Sequence, residues 1–211
     1  MAEVKIAADS GGGSVGLVGP ASTTGNAAIQ LKLPVADGSA NQHLKTDGSG
    51  NLGWVTEAGG LFSSYALIKD QKSNGTFAGN SVQTTWTQRD LNTETADPDG
   101  IVSISSNDFT LGAGSYLIKW EECNYKGNDH TSRLYDVTNS AVKQYSQCTV
   151  GSGTYYGSSE TQGSCRVTIT GDTAYRIEYY QTGGAMSSNG LGQRCNQGDE
   201  VYTQVEIYKE A

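Results

Sequence analysis

Ser115-Tyr116-Leu117-Ile118-Lys119-Trp120-Glu121 is the stretch from which the fold is read. Successive side chains of an extended chain point to opposite faces, so Tyr116, Ile118 and Trp120 share one side and Leu117, Lys119 and Glu121 the other. The same period of two returns in Cys165, Val167 and Ile169, in Tyr175, Ile177 and Tyr179, and in Val201, Thr203, Val205 and Ile207. Shorter strands are expected around Trp86, Val102 and Ile104, Leu134, and Val142. Turn signals such as Asp97-Pro98-Asp99-Gly100 and Thr170-Gly171-Asp172 separate them. Eight to ten strands, each with one apolar face, and no helix predict an all-β sandwich or jelly roll over residues 61–211.

Composition agrees with many turns. Ser, Thr, Asn, Gln and Gly make up about 45% of the 211 residues, with 28 glycines and only 17% charged side chains. The formal charge of −8 and the lack of a basic run argue against a nucleic-acid partner, since phosphate binding needs clustered Lys and Arg. The opening Ala2-Glu3-Val4-Lys5-Ile6-Ala7-Ala8-Asp9 breaks into charges too soon for a secretory signal. No apolar run is long enough for membrane insertion. Cys123, Cys148, Cys165 and Cys195 lack the paired spacing of zinc or redox motifs and leave three disulfide connectivities, or reduced thiols, open.

Residues 1–58 read differently. Ile29-Gln30-Leu31-Lys32-Leu33-Pro34 alternates like a short strand ended by proline. Asp37-Gly38 and Asp47-Gly48-Ser49-Gly50-Asn51 are turns, and Leu52, Trp54 and Val55 follow. Val15, Leu17, Ile29, Leu31, Leu33, Leu44 and Trp54 are too few apolar side chains for a monomeric core. A segment this small without cysteine or metal ligands gains a core by oligomerising, so these seven residues are the candidates for attachment and self-association. Ala58-Gly59-Gly60 reads as a hinge before the larger domain.

Gly13-Ser14-Val15-Gly16-Leu17-Val18-Gly19-Pro20-Ala21, then Leu31-Lys32-Leu33-Pro34, then the run from Asp37 to Trp54 resembles a segment of tail-fibre and related virion proteins of tailed bacteriophages. The resemblance implies an intertwined trimeric attachment region and a place in the virion, after synthesis in the cytoplasm of the host bacterium. Phe109-Thr110-Leu111, the strand through Trp120, the Gly171-Asp172-Thr173 turn and the terminal strand Val201 to Tyr208 are similar to the trimeric jelly roll of the complement globular head and tumour necrosis factor group. That likeness implies a homotrimer of jelly rolls.

Motifs for chemistry do not hold together. Gly12-Gly13-Ser14-Val15-Gly16 fits the serine-hydrolase pattern, but no strand-to-helix elbow is expected there, and Gly11, Gly13 and Gly16 lack the βαβ unit of a dinucleotide site. Glu121 and Glu122 are adjacent on a strand, point to opposite faces and read as solvated strand-end charges rather than a glycosidase dyad. Asp97, Asp99 and Asp129 have no calcium-loop spacing. His43 and His130 read as surface groups. No catalytic residue, cofactor or metal is therefore expected. The 12 tyrosines offer more, because a ring with a hydroxyl suits wet interfaces and sugar faces. Tyr125, His130, Tyr155 and Tyr156 lie in turn-rich stretches and are the candidate receptor-binding loop residues.

These observations predict a non-enzymatic trimeric short tail fibre or fibre tip whose partners are itself, other virion proteins of the tail or baseplate, and a host-surface glycan or protein receptor. A capsid decoration or head-fibre protein, with the capsid as partner, is the alternative, and a glycan-degrading tailspike a minor one.

Overall fold

The computed structural model of the chain describes residues 3–7, 14–18, 20–56, 60–150, 157–183 and 189–211, the first two stretches by their backbone alone. The chain divides into two compact units, Met1–Ala58 and Gly59–Ala211. The expected hinge falls mostly outside the described residues.

In the N-terminal unit β1 (Glu3–Ala7) pairs antiparallel with β2 (Ser14–Val18), so Val15 and Leu17 lie on a strand, and Ser14 is followed by strand rather than helix. A second antiparallel pair, β3 (Gln42–Thr46) and β4 (Leu52–Thr56), sets Leu44 opposite Trp54. The turn between them is fixed by Asp47, whose carboxylate accepts hydrogen bonds from the amides of Ser49 (2.7 Å) and Asn51 (3.1 Å) and from the Asn51 side chain (2.6 Å). Gly48 and Gly50 there take φ of 81° and 92°, which a side chain would resist. The Asn51 bond first, and the Ser49 amide next, hold the Asp47 carboxyl below its usual range.

The alternating segment 29–34 does not form the expected strand. Only Lys32 is bridged: its amide donates to Gly50 O and its carbonyl accepts from the Leu52 amide, both at 2.8 Å. With a turn as sole partner it has no sheet face to cover, and Ile29, Leu31 and Leu33 are 67%, 60% and 67% exposed.

The head holds, in chain order, β5 (Phe62–Lys72), β6 (Thr87–Gln88), β7 (Thr93–Ala96), β8 (Val102–Ser105), β9 (Asp108–Leu111), β10 (Gly114–Tyr125), β11 (Asp129–Asp136), β12 (Ala141–Tyr145), β13 (Thr149–Val150), β14 (Ser158–Ile169), β15 (Thr173–Gln181) and β16 (Glu200–Glu210). One sheet runs β14-β10-β16-β5-β7. The other runs β12-β11-β15-β9-β8, with β13 also on β11 and β6 on β15. Every pairing is antiparallel, and from β13 onward the chain crosses between the sheets at each step, as in a jelly roll.

The predicted faces meet inside. Tyr116, Ile118, Trp120, Val167, Tyr175, Ile177, Val205 and Ile207 are buried against Ile68, Leu91, Phe109, Leu111 and Leu134. Each such side chain contributes roughly 1.5–3 kcal/mol by leaving water. The period of two fails at the start of β16. The β16–β5 register shifts between Val201 and Thr203, which turns Tyr202 inward and leaves Val201 exposed.

Candidate functional site

Beyond Trp120 the interior of the sandwich changes from apolar to polar. The Trp120 indole donates to Ser132 Oγ (2.9 Å), Ser132 and Thr161 share a hydroxyl contact of 2.8 Å, and Thr161 donates to Glu122 Oε1 (2.6 Å). An indole N–H only donates, and the Thr161 proton goes to Glu122. Ser132 therefore donates to Thr161, and the chain has one direction, from ring to carboxyl. Glu122 Oε2 faces Arg89 Nη1 at 3.4 Å. Arg89, fully buried, donates from Nε to Thr203 Oγ1 (2.7 Å) and from Nη2 to the carbonyls of Leu191 and Tyr202 (both 2.9 Å). Asp70 is buried on the neighbouring strand, 3.3 Å from Lys72 Nζ.

This corrects the reading of Glu121 and Glu122 as solvated strand-end charges. Glu121 is exposed, whereas Glu122 continues the inner face of a 12-residue strand and is closed off from solvent. Burial pushes Glu122 up to about 7, against the opposing pull of Arg89 and of the Thr161 hydroxyl. A carboxyl so placed is out of reach of a ligand; through Thr161 and Arg89 it ties β10 to β14 and to the β6–β7 connection.

The polar layer also takes two of the expected loop residues. His130 lies on the inner face of β11, in phase with Ser132 and Leu134, and is buried rather than on the surface. Its Nδ1 meets the Asn128 carbonyl at 2.8 Å, so Nδ1 carries the proton, and Nε2 faces Ser159 Oγ at 3.3 Å. Burial holds His130 below its ordinary value. Tyr125 ends β10 and is buried, with Lys126 5.3 Å from its ring centroid. Period two carries His130 inward, whereas Tyr125, out of phase with the inner positions of β10, is buried at the strand's end. Tyr155 and Tyr156 lie outside the described residues.

Further bonds tie this end together. Asn124 Nδ2 donates to Tyr179 Oη (3.0 Å), which donates to Gln181 Oε1 (2.9 Å), whose amide reaches Ser81 (3.0 Å). Gly127 borders the cluster, where a Cβ would stand 2.5 Å from Tyr179 Oη. The Asp97-Pro98-Asp99-Gly100 turn is closed by the Asp97 side chain, whose carboxylate oxygens accept from the Ile101 (2.8 Å) and Val102 (2.9 Å) amides. Among the described residues no group of three His, Cys, Asp or Glu side chains is placed to hold a metal ion. The four thiols are unpaired.

Among the described residues, two outer surfaces of the head have a distinct chemistry. On the β14-β10-β16 face a groove of about 590 Å³ lies beside the segment 144–147, lined by amides and carboxylates that include Gln144, Gln162, Gln204, Glu121 and Glu206. Lys119 (3.3 Å) and the Tyr208 hydroxyl (3.0 Å) hold Glu206. The segment reaches the groove by running along β14, where the Gln147 amide donates to Gln162 O (3.0 Å) and Thr149 Oγ1 to Glu160 O (3.1 Å). On the opposite sheet an aromatic cluster forms around Trp86, whose ring centroid lies 5.0 Å from that of Tyr180 and 5.9 Å from that of Tyr145. The predicted attachment residues Leu44 and Trp54 are also partly exposed, Trp54 lying over Gly38 with its Nε1 donating to Ala36 O (2.9 Å).

No family model and no curated protein matches the sequence. Among solved structures the chain is similar to the globular domain of zebrafish complement 1qA protein, at 15% identity and a TM-score of 0.44 over 70% of this chain and 97% of that one. It is similar to Eiger TNF from S. frugiperda at 10% identity and 0.48, over 70% and 92%. It is also similar to PRD1 vertex protein P5 at 14% identity and 0.43, over 72% and 100%.

Proposed function

We propose that this chain is a structural protein of a tailed-phage virion: a homotrimeric short tail fibre or fibre tip whose jelly-roll head binds a host-surface receptor, a glycan foremost, without breaking bonds. The observation that carries the reading is the exposure of Ile29, Leu31 and Leu33 within their own unit. Three large aliphatic side chains within five residues, on a segment with only one bridging residue, are what an attachment region completed by other copies requires. Residues 1–58 supply the trimeric shaft and the contact with the virion, and the head supplies recognition. Three weak sites on one particle gain by acting together on one cell surface.

Light scattering on the intact protein tests the assembly: three times the 22.2 kDa chain mass is expected, and a monomer overturns the proposal. Competition of purified protein with phage adsorption tests the role. Protein that neither binds host cells nor slows adsorption removes the receptor reading. Labelling on intact particles tests the position, where density on the head shell replaces the fibre by a capsid decoration.

A further inference from the structure

The outer face of the second sheet carries a rigid aromatic platform. Arg133 on β11 stands opposite Glu178 on β15, and its Nε and Nη2 both donate to Glu178 Oε2 at 2.6 Å. The guanidinium so fixed lies over two rings, 4.0 Å from the Trp86 centroid and 4.9 Å from that of Tyr135. Tyr180 and Tyr145 flank Trp86 with their planes tilted by 41° and 38°, which makes a stepped surface rather than a closed stack. Tyr145 is 51% exposed. Among the described residues the hydroxyls of Tyr135, Tyr145 and Tyr180 make no hydrogen bond within the chain and are not buried.

Charge decides what such a face can hold. Arg133 is taken by Glu178, and Arg176 is taken by Asp108 at 3.0 Å with Glu178 3.9 Å away. Two cations face two carboxylates, so the platform has no spare positive charge for an acidic ligand, and the chain's net charge of −8 repels one. What it offers is ring surface and three phenol hydroxyls. That combination matches a ligand with one face of C–H groups and a rim of uncharged hydroxyls. A stable protein partner would engage roughly 20 residues a side, far more than these rings.

We propose that the Trp86–Tyr145–Tyr180 platform, stiffened by the Arg133–Glu178 pair, is a binding site for an uncharged saccharide. This rests on the receptor-binding reading and moves its site from the loops to a sheet face. Rings already held in place lose little freedom on binding, which suits a weak site repeated in several copies.

The test presents the full chain to an array of neutral hexose and N-acetylhexosamine oligosaccharides beside sulfated and sialylated ones, with Trp86→Ala and Tyr145→Ala as variants. Binding to neutral members, at least tenfold weaker in both variants with unchanged mass and thermal midpoint, is the expected result. The half-exposed Tyr145 keeps the test valid should Trp86→Ala misfold. No neutral binding, binding confined to acidic members, or binding equal in Tyr145→Ala overturns the site. Loss of assembly mass in Tyr145→Ala also overturns it, because the face is then an interface between copies. If the variants still compete with phage adsorption like the parent chain, the site fails while receptor binding stands.

Discussion

Arg89 and Glu122 face each other at 3.4 Å inside the sandwich, and neither side chain reaches solvent. Arg89 comes from the connection between β6 and β7, Glu122 from the later part of the inner face of β10, so the pair closes the polar end of the core. Taking two charges out of water is costly and is offset only when the remaining donors and acceptors find partners. Here Thr161, Thr203 and two carbonyls provide most of them.

Stability should fall as pH rises from about 4.5 to about 7. Unfolded Glu122 ionises near 4.5, while the folded carboxyl keeps its proton to about 7, so the folded chain binds the extra proton between them. The contribution is on the order of 3 kcal/mol. Asp70, raised by burial, acts in the same direction. His130, held below 6.5, acts in the opposite one: its contribution is present above 6.5 and is lost as pH falls from there through the lower folded value. Glu122→Gln isolates the carboxyl. Urea unfolding at pH 5 and pH 8, at one protein concentration, should show a smaller decline in the variant; parallel profiles would refute the assignment.

Gly163→Ala should destabilise the head by about 1–3 kcal/mol through overpacking. Gly163 lies opposite Trp120 in register, and a Cβ there would stand 2.0 Å from the indole. Thermal unfolding followed by tryptophan fluorescence measures it. A midpoint equal to that of the parent chain means that the ring does not pack there.

Leu31→Ser with Leu33→Ser should weaken the proposed trimer and leave the head folded. Each leucine, if covered by a neighbouring copy, contributes roughly 1.5–3 kcal/mol per chain. The expected outcome is a dilution-dependent drop in scattering mass with an unchanged β circular-dichroism spectrum. An intact trimer at every dilution would place the assembly contacts elsewhere.

Gly38→Ala should release Trp54. The added Cβ would meet the indole Cδ2 at 2.6 Å and force the ring off the Ala36 carbonyl. Red-shifted emission from the Trp54 side of the chain, absent in a Trp54→Phe background, is the readout.

The inner faces of β10 and β15 were legible because Tyr116, Ile118, Trp120 and Tyr175, Ile177, Tyr179 repeat the period of two without interruption. Tyr202 was not, since a bulge adds a residue without leaving a mark in the pattern. Glu122 was misread because its partner, Arg89, sits 33 positions earlier in a non-strand connection that periodicity does not reach. The platform was missed for a related reason: Trp86, Arg133, Tyr145 and Tyr180 come from four segments. One signal was present. Arg133, Tyr135 and Tyr180 occupy outward positions of alternating strands, where aromatic rings have no core to serve.

The segment that runs from Ser146 to Thr149 along β14 has a consequence for life at close quarters. It occupies the Glu160 and Gln162 carbonyls, which the outermost long strand would otherwise present to a neighbour. At the other margins, β7 and β8 have four residues each, and β12 is paired through a register shift. An uncovered strand edge is a template on which identical chains add to one another without limit. With its margins short, shifted in register or partly covered, this head offers other copies little regular edge on which to add strands.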